Sequence, residues 1–304
     1  MKKTSLLVFS AIMLMLAACS ENAGFKKTKS GLVYKIISEG KGPQVKTGEF
    51  LKVHYTQSIK GSNNKDSILG TSRDGMPTYA QVDSVGDIYN PAAIFGMLSK
   101  GDSVIIVMEA DSLYKVAEQR PPFIKAKDKL TLTFKVVDII SNEEALRADQ
   151  ESLMQNQKEK EVKDIEAYLE KNNIQAQKTE KGTFVQIENP GTGIAADSGK
   201  TVTVMYTGKT FEGVAFDSNI DSSFGHTDPY KLVIGSRGAI EGWDDGLRLF
   251  RKGGKGKLFI PSMLAYGGNP PPGAPFKPFE NLMFEVEVLD VTNTPQQPNP
   301  QFPR

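Results

Sequence analysis

The second half of the chain consists of short apolar and alternating segments separated by turn residues. Alternation with a period of two places every second side chain on one face, which is typical of strands that cover a core. The pattern predicts five strands, at residues 183–188, 201–207, 230–234, 255–260 and 282–291.

One helix is predicted between these strands, over residues 239–250. Its apolar residues recur every three or four positions and form a single buried face: Ile240, Trp243, Leu247 and Phe250. Gly242 and Gly246 lower the helix propensity, but they carry no side chain and let the backbone approach a neighbouring sheet. The second half is therefore predicted to be an antiparallel sheet curled over a short helix, an α+β fold.

The two halves of the chain share residues in the same order at a nearly constant offset. The matched pairs are Gly48 with Gly199, Tyr55 with Tyr206, Gly101 with Gly253, Tyr114 with Tyr266, and Phe134 with Phe284. Chance could supply one such match, but it does not readily supply an ordered series. We therefore expect one fold to be used twice.

Between the copies lies a charged segment, residues 141–172, which contains neither Gly nor Pro and predicts one long helix. Ser141 followed by Glu144 is a capping-box pattern. At 1.5 Å per residue the helix would be about 45 Å long. Because its apolar residues make only a thin stripe, we interpret it as a solvated spacer. The alternative is a coiled coil through which two copies form a homodimer.

The first 18 residues have the features of a signal peptide. Two lysines are followed by an apolar run from Leu6 to Leu16 that is too short to span a bilayer comfortably. The Leu-Ala-Ala-Cys sequence that ends at Cys19 resembles the bacterial lipobox, which implies lipidation of Cys19, the single cysteine. The alternative is an ordinary signal peptide with Cys19 incidental. Ser20, rather than an aspartate, after the cysteine implies delivery to the outer membrane, facing the periplasm.

Composition narrows the function classes. A formal net charge of +1 gives no electrostatic reason to expect nucleic acid as a partner. A single cysteine excludes an internal disulfide framework, and His54 and His226 lack the spacing of metal ligands. We expect neither a metal nor a cofactor.

Five motifs follow one another between residues 182 and 291: Val-Met-Tyr-Thr-Gly at 204–208, Phe-Asp-Ser at 216–218, Gly-Ala-Ile-Glu-Gly-Trp at 238–243, Ala-Tyr-Gly-Gly at 265–268 and Leu-Met-Phe-Glu-Val at 282–286. In order and approximate spacing they resemble the FKBP family of peptidyl-prolyl cis-trans isomerases. The resemblance implies an antiparallel sheet wrapped around one helix, with an apolar pocket between them that isomerises Xaa-Pro bonds.

The resemblance also implies roles for individual residues. Trp243 would form the pocket floor, Asp217 a polar anchor at the rim, and the N–H of Ile240 and the hydroxyl of Tyr266 donors to ligand carbonyls. The expected catalytic residues are Tyr206, Phe216, Asp217, Trp243, Tyr266 and Phe284. The expected substrate-binding residues are Tyr230, Ala239, Ile240 and Phe276. Taken singly, each aromatic residue would be assigned to the core, and only their co-occurrence favours a pocket.

Some features depart from the family pattern. The loop between Asp217 and Tyr230 is longer than the short family form and supplies no arginine partner for Asp217. In the first copy, Pro91 falls at the position of Trp243, so the pocket floor is missing. We therefore interpret the first copy as a related domain without isomerase activity.

The sequence thus predicts a signal peptide (1–18), a lipidated tether (19–30), a degenerate FKBP-like domain (31–140), a helical linker (141–178), an isomerase domain (179–292) and a disordered tail (293–304). The predicted function is isomerisation of proline-containing exported polypeptides by a protein that is attached to the membrane through its lipid. The alternative is a non-catalytic holdase or scaffold that uses the same pocket only to bind apolar segments. A serine hydrolase has little support, since no Gly-x-Ser-x-Gly sequence is present.

Overall fold

The structure, a computed structural model, describes residues 24–38, 42–60, 66–73, 75–86, 88–114, 120–271 and 273–294. The predicted signal peptide, Cys19 and the tail beyond residue 294 lie outside these ranges. The described chain forms two sheets of seven strands each and a short two-stranded pair.

The strands of the first half are β1 (Lys26–Lys27), β2 (Val33–Ile37), β3 (Phe50–Lys60), β4 (Asp66–Thr71), β5 (Thr78–Gln81), β6 (Ser103–Glu109) and β7 (Lys129–Ile140). Those of the second half are β8 (Gln177–Lys178), β9 (Phe184–Asn189), β10 (Thr192–Ala195), β11 (Lys200–Thr210), β12 (Ala215–Ser218), β13 (Tyr230–Val233), β14 (Arg251–Lys252), β15 (Lys255–Ile260) and β16 (Leu282–Asn293). The α-helices are α1 (Ala110–Leu113), α2 (Glu143–Lys171) and α3 (Glu241–Gly246).

The two large sheets have the same strand order. The first runs β1-β2-β6-β7-β3-β4 with β5 also paired to β3, and the second runs β8-β9-β15-β16-β11-β12 with β13 also paired to β11. Each strand of the first sheet thus has a counterpart at the same place in the second. The predicted duplication of one antiparallel fold is confirmed.

The five predicted strands of the second half are present with boundaries shifted by up to three residues. Sequence reasoning missed β8, β10, β12 and β14, which are only two to four residues long. Such short segments show too few alternations for the period to be recognised.

Helix α3 is shorter than predicted, because residues Leu247–Leu249 form a 3₁₀ turn. Its glycines lie where a side chain would not fit. A Cβ atom on Gly242 would lie 2.2 Å from Cγ2 of Ile260, and one on Gly246 would lie 2.8 Å from Cδ2 of Leu258. The expected close approach of the helix to the sheet is therefore found. In the first copy, a 3₁₀ helix, Pro91–Met97, occurs instead of α3.

The chain divides into two compact units, Met1–Gly70 with Gln81–Ile139, and Thr71–Ala80 with Ile140–Arg304. Helix α2 therefore belongs to the same unit as the second sheet. It covers most of the predicted range, but its N-cap is Asn142, whose side-chain oxygen accepts from the N–H of Ala145 at 2.9 Å, and not Ser141. An asparagine oxygen at this position satisfies an N–H that has no partner within the helix.

The interpretation of α2 as a solvated spacer is wrong for its C-terminal half. Glu161, Ile165 and Leu169 are buried at 1%, 0% and 7% exposure. The two apolar side chains belong to a cluster with Phe259 and Met283 of the second sheet. The C-terminal half of α2 is therefore packed onto the face of the sheet opposite α3.

Alternation along β15 explains this three-layer arrangement. Leu258 belongs to the core cluster that also contains Trp243 of α3, whereas its neighbour Phe259 belongs to the cluster with helix α2. Successive side chains on a strand point to opposite faces. The sheet is consequently buried on both sides where α2 and α3 cover it.

None of the helices in the described ranges is both long enough and apolar enough to cross a membrane.

Candidate functional site

A cavity of about 290 Å³ opens between helix α3 and the second sheet. Most residues that the sequence singled out contribute to its lining. The lining residues are Tyr206, Asp217, Tyr230, Gly238, Ala239, Ile240, Trp243, Tyr266 and Phe284. They come from four strands, from α3 and the turn before it, and from the segment after β15, so the fold rather than any single segment assembles the cavity.

Trp243 is at the centre of the aromatic residues. It is 4% exposed, and its ring meets those of Tyr206, Tyr230 and Phe284 edge to face, with centroid separations of 5.0, 5.8 and 5.4 Å. Edge-to-face contacts match the positive rim of one ring to the negative face of another. The buried indole Nε1–H has no hydrogen-bond partner among the described residues. The Trp243 side chain is therefore held by packing and not by a hydrogen bond of its ring nitrogen within the described chain.

Asp217 carries the negative charge at the cavity rim. The Tyr206 hydroxyl donates to its Oδ2 at 2.6 Å, and Nε2 of His226 lies 2.9 Å from its Oδ1. Burial, and then the hydrogen bond to Asp217, raise the pKa of Tyr206 above its usual value, so the phenol stays protonated and keeps donating. The sequence indicated that the loop supplies no arginine for Asp217, but it did not identify His226 as a partner.

The turn before α3 is held by side chains at both ends. The Tyr230 hydroxyl donates to the carbonyl of Gly238 at 2.9 Å, and Asp244 accepts from the N–H of Gly235 at 2.9 Å. Between these anchors, the amide N–H of Ile240 has no acceptor within the described part of the chain. It remains available for a ligand carbonyl at the cavity.

Tyr266 also lines the cavity and follows the 3₁₀ turn Ser262–Leu264 in the chain. Its hydroxyl forms no hydrogen bond to any described residue. Burial, and then the negative charge of Asp217, raise its pKa, which keeps the hydroxyl in its donating form.

Phe216 and Phe276, which the resemblance implies as catalytic and substrate-binding residues, lie next to the residues that line the cavity. The Phe216 ring lies 5.6 Å from Phe284 and 4.9 Å from Phe276, and Phe276 lies 5.4 Å from Tyr266. These two residues support the lining rings from outside the cavity.

Gly208 was quoted in a sequence motif but not assigned a role. A Cβ atom there would lie 2.7 Å from Cζ of Phe216 and 2.8 Å from Cε1 of Phe284. The absence of a side chain on β11 is what lets both rings pack over this strand.

Asn219 was missed by sequence reasoning. It is 1% exposed, its Oδ1 accepts from the N–H of Tyr206 at 2.7 Å, and its Nδ2 donates to the carbonyls of Val204 and Asp228 at 3.0 and 3.1 Å. The side chain thus ties β11 to the long loop that carries His226. An asparagine directly after the Phe-Asp-Ser motif was the available signal.

The corresponding region of the first copy is built differently. The 3₁₀ helix Pro91–Met97 buries Ile94 completely and places the ring of Phe95 edge-on to Phe134 at 6.0 Å. Aliphatic and phenyl groups therefore occur where the second copy has an indole.

The second copy is an antiparallel sheet wrapped around a short helix, with an aromatic cavity between them. Two of the groups that line this cavity, the Ile240 N–H and the Tyr266 hydroxyl, have no hydrogen-bond partner in the described chain. Comparison with known proteins agrees with this architecture. Residues 193–289 match the family model described as FKBP-type peptidyl-prolyl cis-trans isomerase. The chain belongs to the FKBP-type peptidyl-prolyl cis-trans isomerase family.

Among its relatives, the FK506-binding protein of Neisseria meningitidis serogroup B is 38% identical over 110 residues, which are 36% of this chain and 96% of that protein. The isomerase FkpA of Escherichia coli K12 is 39% identical over 115 residues, which are 38% of this chain and 40% of that protein. The crystal structure of Escherichia coli FkpA matches with 35% identity over 50% of this chain and 70% of that one, at a TM-score of 0.37.

Proposed function

We propose that the second copy is the catalytic domain of this isomerase and that it acts on Xaa-Pro bonds of exported polypeptides. The supporting observation is the cavity lined by Trp243, Tyr206 and Phe284, with the donors of Ile240 and Tyr266 at its edge. This volume accommodates a small ring, and in this proposal the two donors bind the carbonyls on either side of that ring.

The chemistry needs shape and polarity rather than a nucleophile. Rotation about an Xaa-Pro bond breaks no covalent bond, and its barrier of about 18–20 kcal/mol arises from amide resonance. Resonance places negative charge on the amide oxygen, and water stabilises this charge. A cavity that removes water therefore disfavours the planar amide relative to the twisted one, which is differential binding of the transition state. A thousandfold acceleration needs only about 4 kcal/mol.

Each side chain has a separate task in this proposal. Trp243 supports the proline ring, and the N–H of Ile240 and the hydroxyl of Tyr266 orient the flanking carbonyls. Asp217 is held by Tyr206 and His226 and provides a fixed negative charge at the rim. The rim therefore disfavours the charge-separated planar amide when its oxygen faces the carboxylate.

Attachment to the outer membrane through a lipid on Cys19 is part of the same proposal. It rests on the lipobox resemblance, with no other cysteine in the sequence. Acyl chains contribute about 0.8 kcal/mol per buried methylene, so more than one chain on a single residue gives stable anchoring. The clients would then be proline-containing polypeptides in the periplasm.

The first copy is proposed to be non-catalytic, because Pro91 falls at the position of Trp243 in the sequence match of the two copies, and a 3₁₀ helix, Pro91–Met97, is found there instead of α3. A holdase or scaffold that binds through the second cavity without catalysis is the alternative function. Both activities would use the same residues, so only kinetics separates them.

A matched pair of substitutions tests which copy is catalytic. Tyr206→Phe and Tyr55→Phe remove one hydroxyl at equivalent positions of β11 and β3 in the full chain. Because hydrogen bonds to charged groups are the stronger ones, Tyr206→Phe should lower kcat/KM for a proline peptide about three- to tenfold, while Tyr55→Phe should stay within about twofold. The reverse pattern would contradict the assignment.

A further inference from the structure

Glu161 of helix α2 is a buried carboxylate outside the cavity. It is 1% exposed and lies between the helix and the second sheet. Its Oε2 accepts from the N–H of Met263 at 3.0 Å, and its Oε1 accepts from Nε2 of Gln157 at 2.7 Å and from the hydroxyl of Ser262. All three partners are neutral groups.

Removing a carboxylate from water costs free energy, and hydrogen bonds from neutral donors offset only part of this desolvation cost. Docking of the helix does not require it, because Ile165 and Leu169 already pack on the sheet one and two turns further along. A carboxylate at this position is therefore not explained by the docking of helix α2 alone, and its hydrogen-bond partners indicate a second role.

Two of the partners of Glu161, Ser262 and Met263, belong to the turn that precedes Tyr266. All polar groups of Ser262 form hydrogen bonds. Its hydroxyl donates to Glu161, and its N–H donates to Oδ1 of Asn281 at 3.1 Å. Its carbonyl accepts from the N–H groups of Ala265 and Gly267, both at 2.8 Å. The last two hydrogen bonds enclose Tyr266 and fix the path of the backbone on either side of it.

Asn281 connects the turn to helix α2 by a second set of hydrogen bonds. Its Nδ2 donates to the backbone carbonyl of Glu161 at 3.1 Å while its Oδ1 holds Ser262. Glu161 is thus joined to the turn both through its side chain and through its backbone, and the turn lies between α2 and the cavity lined by Tyr266.

We propose that Glu161 is a positioning residue for the isomerase reaction, which sets the place of the Tyr266 hydroxyl by holding the turn from Ser262 to Gly267. This inference rests on the role proposed above for Tyr266. It makes the C-terminal half of α2 part of the catalytic domain rather than a connection to it. A partner or mutation that displaces this half of the helix would change the geometry of the cavity.

The test uses Glu161→Ala in the full chain, with Leu169→Ala as the matched control. Both substitutions remove a buried side chain of α2, but the apolar cluster to which Leu169 belongs includes no residue of the turn. Since misplacement of a binding group by a fraction of an ångström is costly, Glu161→Ala should lower kcat/KM for a proline peptide about three- to tenfold. Leu169→Ala should stay within about twofold at a similar loss of thermal stability.

A double-mutant cycle with Tyr266→Phe shows whether the effect passes through Tyr266. If Glu161 acts by placing that hydroxyl, Glu161→Ala should cost less than about twofold once the hydroxyl is absent. If Glu161→Ala fails to fold, Glu161→Gln replaces it in the test. This variant keeps the shape of the side chain and one acceptor oxygen, and its loss of kcat/KM should be smaller than that expected for Glu161→Ala.

Several outcomes overturn the inference. The first is wild-type kcat/KM in both Glu161→Ala and Glu161→Gln. The second is a loss of kcat/KM from Glu161→Ala that is as large in the Tyr266→Phe background as in the wild-type background. The third is a loss of kcat/KM in Leu169→Ala equal to that in Glu161→Ala. Wild-type kcat/KM in Tyr266→Phe itself would instead overturn the role proposed for Tyr266, and this inference with it. The two failures are therefore distinguishable.

Discussion

The hydroxyl of Tyr206 donates a 2.6 Å hydrogen bond to Oδ2 of Asp217 at the rim of the aromatic cavity. The Tyr206 ring also lies 5.0 Å from Trp243, so one side chain joins the polar rim to the apolar floor. Burial of the phenol and the neighbouring carboxylate both raise its pKa. The neutral phenol is therefore favoured by folding.

This relationship predicts how stability changes at alkaline pH. Because the folded pKa of Tyr206 is raised, its contribution to the free energy of unfolding is complete below the unfolded value of about 10 and is lost as the pH rises through the folded value. Tyr206→Phe removes this ionisation and should make the decline above about pH 10 shallower, by at most about 1.4 kcal/mol per pH unit. Urea denaturation at a series of pH values measures the free energy of unfolding of both proteins. If this free energy declines equally steeply above about pH 10 in the wild-type protein and in Tyr206→Phe, the ionisation of Tyr206 is not coupled to folding.

A second prediction concerns Tyr266 and ligand affinity. Tyr266→Phe preserves the contact with Phe276 but removes a donor that has no partner in the described chain. Binding of a proline peptide should weaken by about 0.5–1.5 kcal/mol, the value of one neutral hydrogen bond. Calorimetric titration measures the change. Unchanged affinity would mean that the Tyr266 hydroxyl does not contact the peptide.

A third prediction concerns the membrane. Cys19→Ala should transfer the protein from the membrane fraction to the soluble fraction, because the proposed anchor is the lipid on that cysteine. Fractionation of cells, with a high-salt wash to remove electrostatic binding, measures this. A variant that still sediments with membranes after the wash would be inconsistent with lipid anchoring.

The sequence predicted the second sheet well because most of its strands are long enough for alternation to be visible. It also identified the residues around Trp243, since five separate motifs coincide there. For Phe216 the sequence indicated a place near the cavity but not whether its ring faces the cavity. A motif identifies a residue that is needed near the cavity, but whether its ring lines the cavity or supports the lining depends on distances that only the fold sets.

The docking of helix α2 was missed because its apolar stripe is thin and Glu161 interrupts it. The sequence of the strands, rather than that of the helix, indicated that this face of the sheet is covered. Leu258, Phe259 and Ile260 are consecutive apolar residues, and so are Leu282, Met283 and Phe284. An apolar run without alternation indicates a strand buried on both faces, which requires a second covering layer.

His226 could not be assigned because it lies in a long loop, nine positions beyond its partner Asp217 on β12. Loop geometry does not follow from periodicity, and a lone histidine has no spacing that identifies its role. The hydrogen bonds of Asn219, which fix this loop to β11, show how the fold brings His226 to Asp217.

The most direct test of the account is the rate of cis/trans exchange of an Xaa-Pro peptide, measured with the full chain and with Trp243→Leu. The substitution should cost about 1–4 kcal/mol of stability as a large-to-small core change, so folding of the variant is checked by circular dichroism. The wild-type protein should accelerate exchange, and the folded variant should lose at least about tenfold in kcat/KM as an aromatic contact at the cavity floor is lost. Wild-type activity in folded Trp243→Leu, or peptide binding by the wild-type protein without acceleration, would contradict catalysis in this cavity.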